Sequence, residues 1–419
     1  IDLSGSGISS NTLGTGDAGN LTISTGRLTL RNGSQVNSGT LGQGAGGDLT
    51  VNATELVEIG GIGSDGFNSR LFTETFGDGN AGDLTINTSK LVINNAGNIS
   101  ASTLGRGNGG NLTVNATESV EAIGLAPNTL LSALAAAATS SGNAGNLTIT
   151  TRRLTLRDGV TLTSQSLDQG QAGNITINVR NALSAHDSSI FTSALQSSGG
   201  AIKVNAGSIR LQGNSDIITS VFRGAGGGGD ITLNARSIIA LGDSDILAFA
   251  QDGRGGNITL NTPVFFGQNY RPAPPGTNPL TLNGNNRVDI NASGATSGII
   301  SLPDQSFLQN RLSELPQNLI DTNRILANSC IVRDAAAGGT FIVTGTGGLP
   351  VRPGDAPLPA FPTGEVQSVA ADGRTDETDR GRTASASSVS NPLPEAIAEA
   401  QGIYKLPDGQ IILSWECSR

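Results

Sequence analysis

The sequence predicts an all-β chain, a right-handed parallel β-helix with three short strands per coil and about 28 residues per coil, closed by a small helical cap and a C-terminal hairpin. Three observations carry this. The phrase GGDLTVNATELVEIGG at 46–61 returns as GGNLTVNATESVEAIG at 109–124. The pattern Gly, Asn or Asp, apolar, Thr, apolar starts at Gly19, Gly47, Gly82, Gly110, Gly145, Gly173, Gly229 and Gly256, with a worn copy, GAIKV, at Gly200; the intervals are 28, 35, 28, 35, 28, 27, 29 and 27. A near-constant period means one stacked unit per repeat. Finally, 59 glycines, 3% aromatic and 14% charged residues among 419 describe turns and short strands around a slim aliphatic interior.

Each unit divides into three strands. The first is the Gly-Asn-Leu-Thr-Ile segment, in which Leu21 and Ile23 point one way and Asn20 and Thr22 the other. The second follows at once, as in RLTL at 27–30, LVEI at 56–59 and SIRL at 208–211. The third is looser, as in GNISAS at 97–102, TLTSQS at 161–166 and DIITSV at 216–221. Ten or eleven coils are expected over residues 1–303, a rod of roughly 50 Å at the usual spacing between strands. The two 35-residue intervals place their extra length after the second strand, at 60–68 and 123–130, so both insertions project from one corner two coils apart, where recognition loops of solenoids sit.

Beyond the stalk at 1–303, residues 304–348 predict a helical cap and a strand. Phe307, Leu308, Leu312 and Leu315, then Leu319, Ile320, Ile325 and Leu326, are spaced for two short amphipathic helices that cover the last coil, and GTFIVTG at 339–345 reads as a strand. Residues 349–392 form a Pro/Ser-rich flexible linker. Residues 393–419 hold a short helix and a hairpin centred on Pro407-Asp408-Gly409. Cys330 and Cys417 lie at the two ends of this tail, and a disulfide between them would fasten the hairpin to the rod.

A net charge of −9 argues against nucleic acid as a partner. The longest apolar run, LLSALAAAA at 130–138, is too short to span a bilayer. The absence of Met, even at position 1, reads as a processed chain or part of a longer one.

The strongest candidate for a chemical site is the pair Asp216 and Asp245, in NSDIITS and DSDILAF, which share a register in adjacent coils with Asp243 and Asp187 nearby. Two stacked carboxylates repel, share a proton or bind a cation; Asp is also an ordinary corner residue. The only histidine, His186, stands beside Asp187 in SAHDSS and reads as a surface turn residue. The triplets at Asn52, Asn111, Asn115, Asn146 and Asn174 match a glycan acceptor pattern that the strand repeat generates by itself. No catalytic, cofactor-binding or metal-ligating set is assigned.

With the runs GNAGNLTI and GGNLTVNATESVE in view, together with the tail LPQNLIDTNRILANSCIVRDAAAGGTFIVTGTGGLPVRPGDAPLP at 315–359, the chain resembles the filamentous haemagglutinin-like exoproteins of two-partner secretion, particularly the large cyanobacterial-type surface or S-layer-like members. The resemblance implies export through an outer-membrane partner transporter barrel and display at the outer cell surface. It suggests a non-catalytic extracellular stalk or adhesin that meets a glycan or protein on a host or neighbouring cell. A polysaccharide-active β-helix enzyme, lyase or hydrolase, and a purely architectural S-layer-like component are the alternatives.

Overall fold

The computed structural model describes residues 1–124, 132–274 and 277–303, together with the strand segments 367–368, 402–405 and 411–414. Two compact units divide it, Ile1–Leu308 and Gln309–Arg419. The first is a right-handed parallel β-solenoid of about nine turns, with about 29 residues per coil.

One sheet is built from long strands, Leu21–Arg31, Leu49–Gly60, Leu84–Asn94, Leu112–Ile123, Leu147–Arg157, Ile175–His186 and Ile202–Gln212, each parallel to the next. In the coils up to Gln212 they contain the first two predicted strands run together. The chain bends between them without breaking the ladder, at register shifts such as Thr25/Arg27, Thr88/Lys90 and Thr151/Arg153. An extra residue on one strand takes up the bend while pairing resumes on either side. From Ile231 onward the two parts separate, as Ile231–Asn234 and Ile238–Ala240, then Ile258–Asn261 and Phe265–Gly267. A second parallel sheet holds the third strands, among them Gln35–Asn37, Arg70–Phe72, Asn98–Ser100, Thr161–Ser166, Ser189–Ala194 and Ile217–Val221.

Alternation decides what is inside. In Leu147–Arg157 the residues Leu147, Ile149, Leu154 and Leu156 are fully buried while Arg152, Arg153 and Arg157 are exposed. Equivalent residues stack on their own kind: Leu49, Leu84, Leu112 and Leu147 are consecutive partners in register. Each fully buried aliphatic side chain contributes roughly 1.5–3 kcal/mol.

The corner before each long strand explains the Gly-Asn/Asp signature. A Cβ built on Gly82 would lie 2.1 Å from the carbonyl oxygen of Gly47, and one on Gly110 1.9 Å from that of Gly82, so a side chain cannot fit between coils there. The following residue supplies an acceptor to the next coil. Asp48 N–H donates to Asn20 Oδ1 (2.8 Å), Asp83 N–H to Asp48 Oδ1 (2.9 Å), Asn111 N–H to Asp83 Oδ1 (2.8 Å) and Asn146 N–H to Asn111 Oδ1 (3.0 Å). Asn and Asp alternate because both supply the side-chain oxygen that accepts the next coil's N–H; where Asn stands, its Nδ2 can add a second bond, as from Asn111 to Asp83 Oδ1 (3.1 Å) and from Asn146 to Asn111 Oδ1 (3.1 Å).

The expected ten or eleven coils are corrected to about nine turns. The last interval, between Asn257 and Ile299, is 42 residues rather than 28, because after Phe265–Gly267 the chain leaves the solenoid and returns as Ile290–Asn291 and Gly294–Thr296. This excursion leaves from the same corner as the 60–68 insertion, which folds as a tight loop with Ile62 and Asn68 bridged antiparallel. Of the second insertion, residues 125–131 lie outside the described residues, as do the predicted cap helices, the 339–345 strand, Cys330 and Cys417.

In the second unit Gly402–Lys405 and Ile411–Ser414 pair antiparallel. Gln367–Ser368, within the stretch expected to be a flexible linker, pairs parallel with Gly402–Lys405. In sequence this segment lies between Val366 and Val369, two strong strand formers.

Candidate functional site

The paired aspartates are where the register places them, at the entry to the short-strand sheet in successive coils. Asp245 N–H donates to Asp216 Oδ1 (3.0 Å), and Asp289 N–H to Asp245 Oδ1 (2.8 Å), so the column has a third member delivered by the excursion. Arg287 closes it, its Nη2 donating to Asp289 Oδ1 (2.6 Å) and its Nε to Oδ2 (3.1 Å), with Asn285 Nδ2 also on Oδ2 (2.6 Å). Asp243 accepts the N–H groups of Gly284 and Asn286. These carboxylates act as clips that hold the returning chain on the last coil.

Burial sets their protonation. Asp245 is fully buried and its Oδ2 has no hydrogen-bond partner. Loss of solvation pushes it up to about 8, against the lowering effect of the Asp289 N–H and with further raising by Asp216, Asp289 and Asp243. Asp216 is raised to about 6, again chiefly by burial. Asp187, which the sequence placed near this pair, belongs to another constellation.

That constellation lies at the corner leaving the long strands. Asp158 and Asp187 adopt left-handed backbone there (φ 59° and 49°), which Asp tolerates better than most residues. Stacking brings Asp158, His186 and Asp187 together, all exposed, with potential ligand atoms within 4.8 Å of one another; His186 Nδ1 is 3.0 Å from Asp187 Oδ2. An imidazole and two carboxylates suit a borderline divalent ion. The sequence reading missed Asp158, whose 28-residue separation from His186 becomes contact only once the coils stack.

Two larger features extend along the rod. A shallow groove follows the bend of the long strands, floored by Asn side chains: Asn87 Nδ2 donates to Asn52 Oδ1 (2.9 Å), Asn205 Nδ2 to Asn178 Oδ1 (2.8 Å) and Asn234 Nδ2 to Asn205 Oδ1 (2.6 Å). Its margins differ along its length. Toward residue 1 the charges are paired, Arg27 with Glu55 and Lys90 with Glu118. From Leu147 to Arg236 the face carries exposed Arg152, Arg153, Arg157, Arg180, Lys203, Arg210 and Arg236, none with a carboxylate partner among the described residues. A chain of net charge −9 thus has a basic face. The second feature is a file of exposed apolar residues leaving the short-strand sheet. It belongs to a second repeat, TLGTG at 12–16, TLGQG at 40–44, TFGDG at 75–79 and TLGRG at 103–107, that would have revealed the file from sequence.

Fold and geometry define a parallel β-solenoid repeat protein with polar, basic and apolar strips along its axis. In comparisons with known proteins, no family model matches the chain, and no curated protein or solved structure matches it.

Proposed function

We propose that the chain is a non-catalytic stalk of a filamentous haemagglutinin-like exoprotein, exported through an outer-membrane partner barrel and displayed at the outer cell surface, where it mediates attachment. The basic face carries this reading. Seven unpaired cations distributed over successive coils form a strip matched to an extended polyanion, and the amide floor of the groove offers donors and acceptors to hydroxyl groups. An acidic surface polysaccharide fits this chemistry better than nucleic acid, because none of the residues lining the groove is an aromatic on which a base could stack.

Binding of the whole chain to immobilised acidic and neutral polysaccharides tests the reading. Retention on the acidic polymer alone, lost as salt rises, is the expected outcome. Replacing Arg152, Arg180 and Arg236 together by Glu is expected to weaken retention about tenfold or more. Equal retention on both polymers would sink it. Release of oligosaccharides, abolished in Asp216→Asn/Asp245→Asn, would replace the stalk by a carbohydrate-active enzyme.

A further inference from the structure

The exposed apolar file stands at a different corner from the basic face. Leu13 is 78% exposed, Leu41 54%, Phe76 49%, Leu104 44% and Leu167 46%. Backbone bonds keep these residues on consecutive rungs: Leu41 N–H donates to Thr12 O, Phe76 N–H to Thr40 O, Leu104 N–H to Thr75 O, Thr139 N–H to Thr103 O and Leu167 N–H to Ala138 O. Thr139 is therefore the one polar rung between Leu13 and Leu167. Beside the file the surface is bare backbone. A Cβ on Gly42 would lie 1.6 Å from Gly14 O, one on Gly77 1.9 Å from Gly42 O and one on Gly105 1.5 Å from Gly77 O. No side chain can stand at those glycines to shield the file, and stacking leaves about half of Leu41, Phe76, Leu104 and Leu167, and more of Leu13 at its end, in solvent.

We propose that this file is a self-association surface, against which a second copy of the chain packs side by side and antiparallel. Three arguments select a second copy. A strip of side chains repeating about every 4.8 Å interdigitates only with a surface of equal pitch, and an identical solenoid has that pitch by construction. The five apolar side chains from Leu13 to Leu167, beyond which the file runs on through Leu195 and Phe222, expose on the order of 500 Å² per copy, so pairing them removes at most about 1,000 Å² in total, the lower bound for a specific interface and the size of a weak, reversible one. Charge is also balanced along the file. Asp78 and Arg106 occupy the same place in TFGDG and TLGRG, 4.0 Å apart within one copy. A two-fold axis between their coils sets Asp78 of each copy opposite Arg106 of the other and aligns Phe76 with Leu104 and Leu13 with Leu167.

Sedimentation velocity of the full chain over a wide concentration range tests the proposal. A reversible monomer–dimer equilibrium is expected, abolished in Leu41→Ser/Phe76→Ser/Leu104→Ser; these sites are exposed, and circular dichroism checks that the fold is kept. Asp78→Arg and Arg106→Asp copies are each expected to dimerise about tenfold more weakly than the parent, whereas an equal mixture of the two pairs again, since every contact across the axis is then between opposite charges. Restoration by mixing cannot arise from the contact within one copy. A chain that stays monomeric, a dimer indifferent to the triple serine variant, or a mixture no better than either variant alone would overturn the proposal. Monomers with the file nevertheless protected from surface labelling would assign it to residues 309–419 of the same chain.

Discussion

Asp245 holds its proton at neutral pH because its carboxyl is walled off from water and shares its column with Asp216 and Asp289. A folded pKa of about 8 against 3.8 for the unfolded chain means that folding binds a proton, so the stabilisation is complete below pH 4 and is lost as pH rises toward 8; Asp216 adds a smaller loss that ends near pH 6. Asp245→Asn mimics the protonated form. It is expected to leave stability at pH 4–5 nearly unchanged and to raise it at pH 8 by on the order of 3 kcal/mol, measured by urea denaturation and by hydrogen exchange of the Ile246 and Asp289 amides. Backbone clearance makes an equally local prediction. Gly82→Ala forces a Cβ to 2.1 Å from Gly47 O and is expected to cost about 3 kcal/mol, whereas Gly16→Ala, with nothing within 4 Å and no positive φ, is expected to be nearly neutral in thermal denaturation. The Asp216–Asp245 stacking could be read from sequence because both residues precede the same apolar pair. Asp289 could not, since the excursion displaces it from the period; its warning was the proline-rich stretch NYRPAPPGTNP at 269–279.

Within an element, the unit of stability is the file rather than the strand. The corner Asn/Asp file runs from Asn20 through Asn174, which accepts the Ala201 N–H at 2.8 Å, and resumes at Asp230, which accepts the Asn257 N–H at 2.7 Å. Ala201 itself offers no side-chain oxygen to Asp230. Ala201→Asn supplies the missing acceptor and is expected to stabilise the solenoid by about 1 kcal/mol, seen as a raised Tm. The alanine at 201 is also why GAIKV looks worn: this repeat keeps the buried Ile202 and Val204 and lacks the side-chain acceptor. Strand content was readable wherever alternation persisted. The merger of two predicted strands into one bent strand was not, because a register shift that preserves pairing on both sides leaves the apolar pattern of each half intact. The basic face was hidden for a related reason. Its cations sit at different offsets, such as Arg153 beside Ala182 and Arg210 beside Ser184, and share a face only after stacking.

For the molecule as a whole, every coil touches only its neighbours, so strips of unlike chemistry coexist without meeting: amides and arginines on one corner, leucines on another, tight loops on a third. The third corner takes the long insertions, which make intervals of 35 and 42 residues, whereas between Val221 and Ile231 the glycine corner gains only two residues over the preceding coil. A foreign peptide spliced between Gly63 and Phe67 would therefore ride outside the ladder and leave the pairing of Gln35–Asn37 with Arg70–Phe72 untouched. The solenoid is thus a peg-board with one row of holes, on which cargo can be mounted at known heights along the ladder.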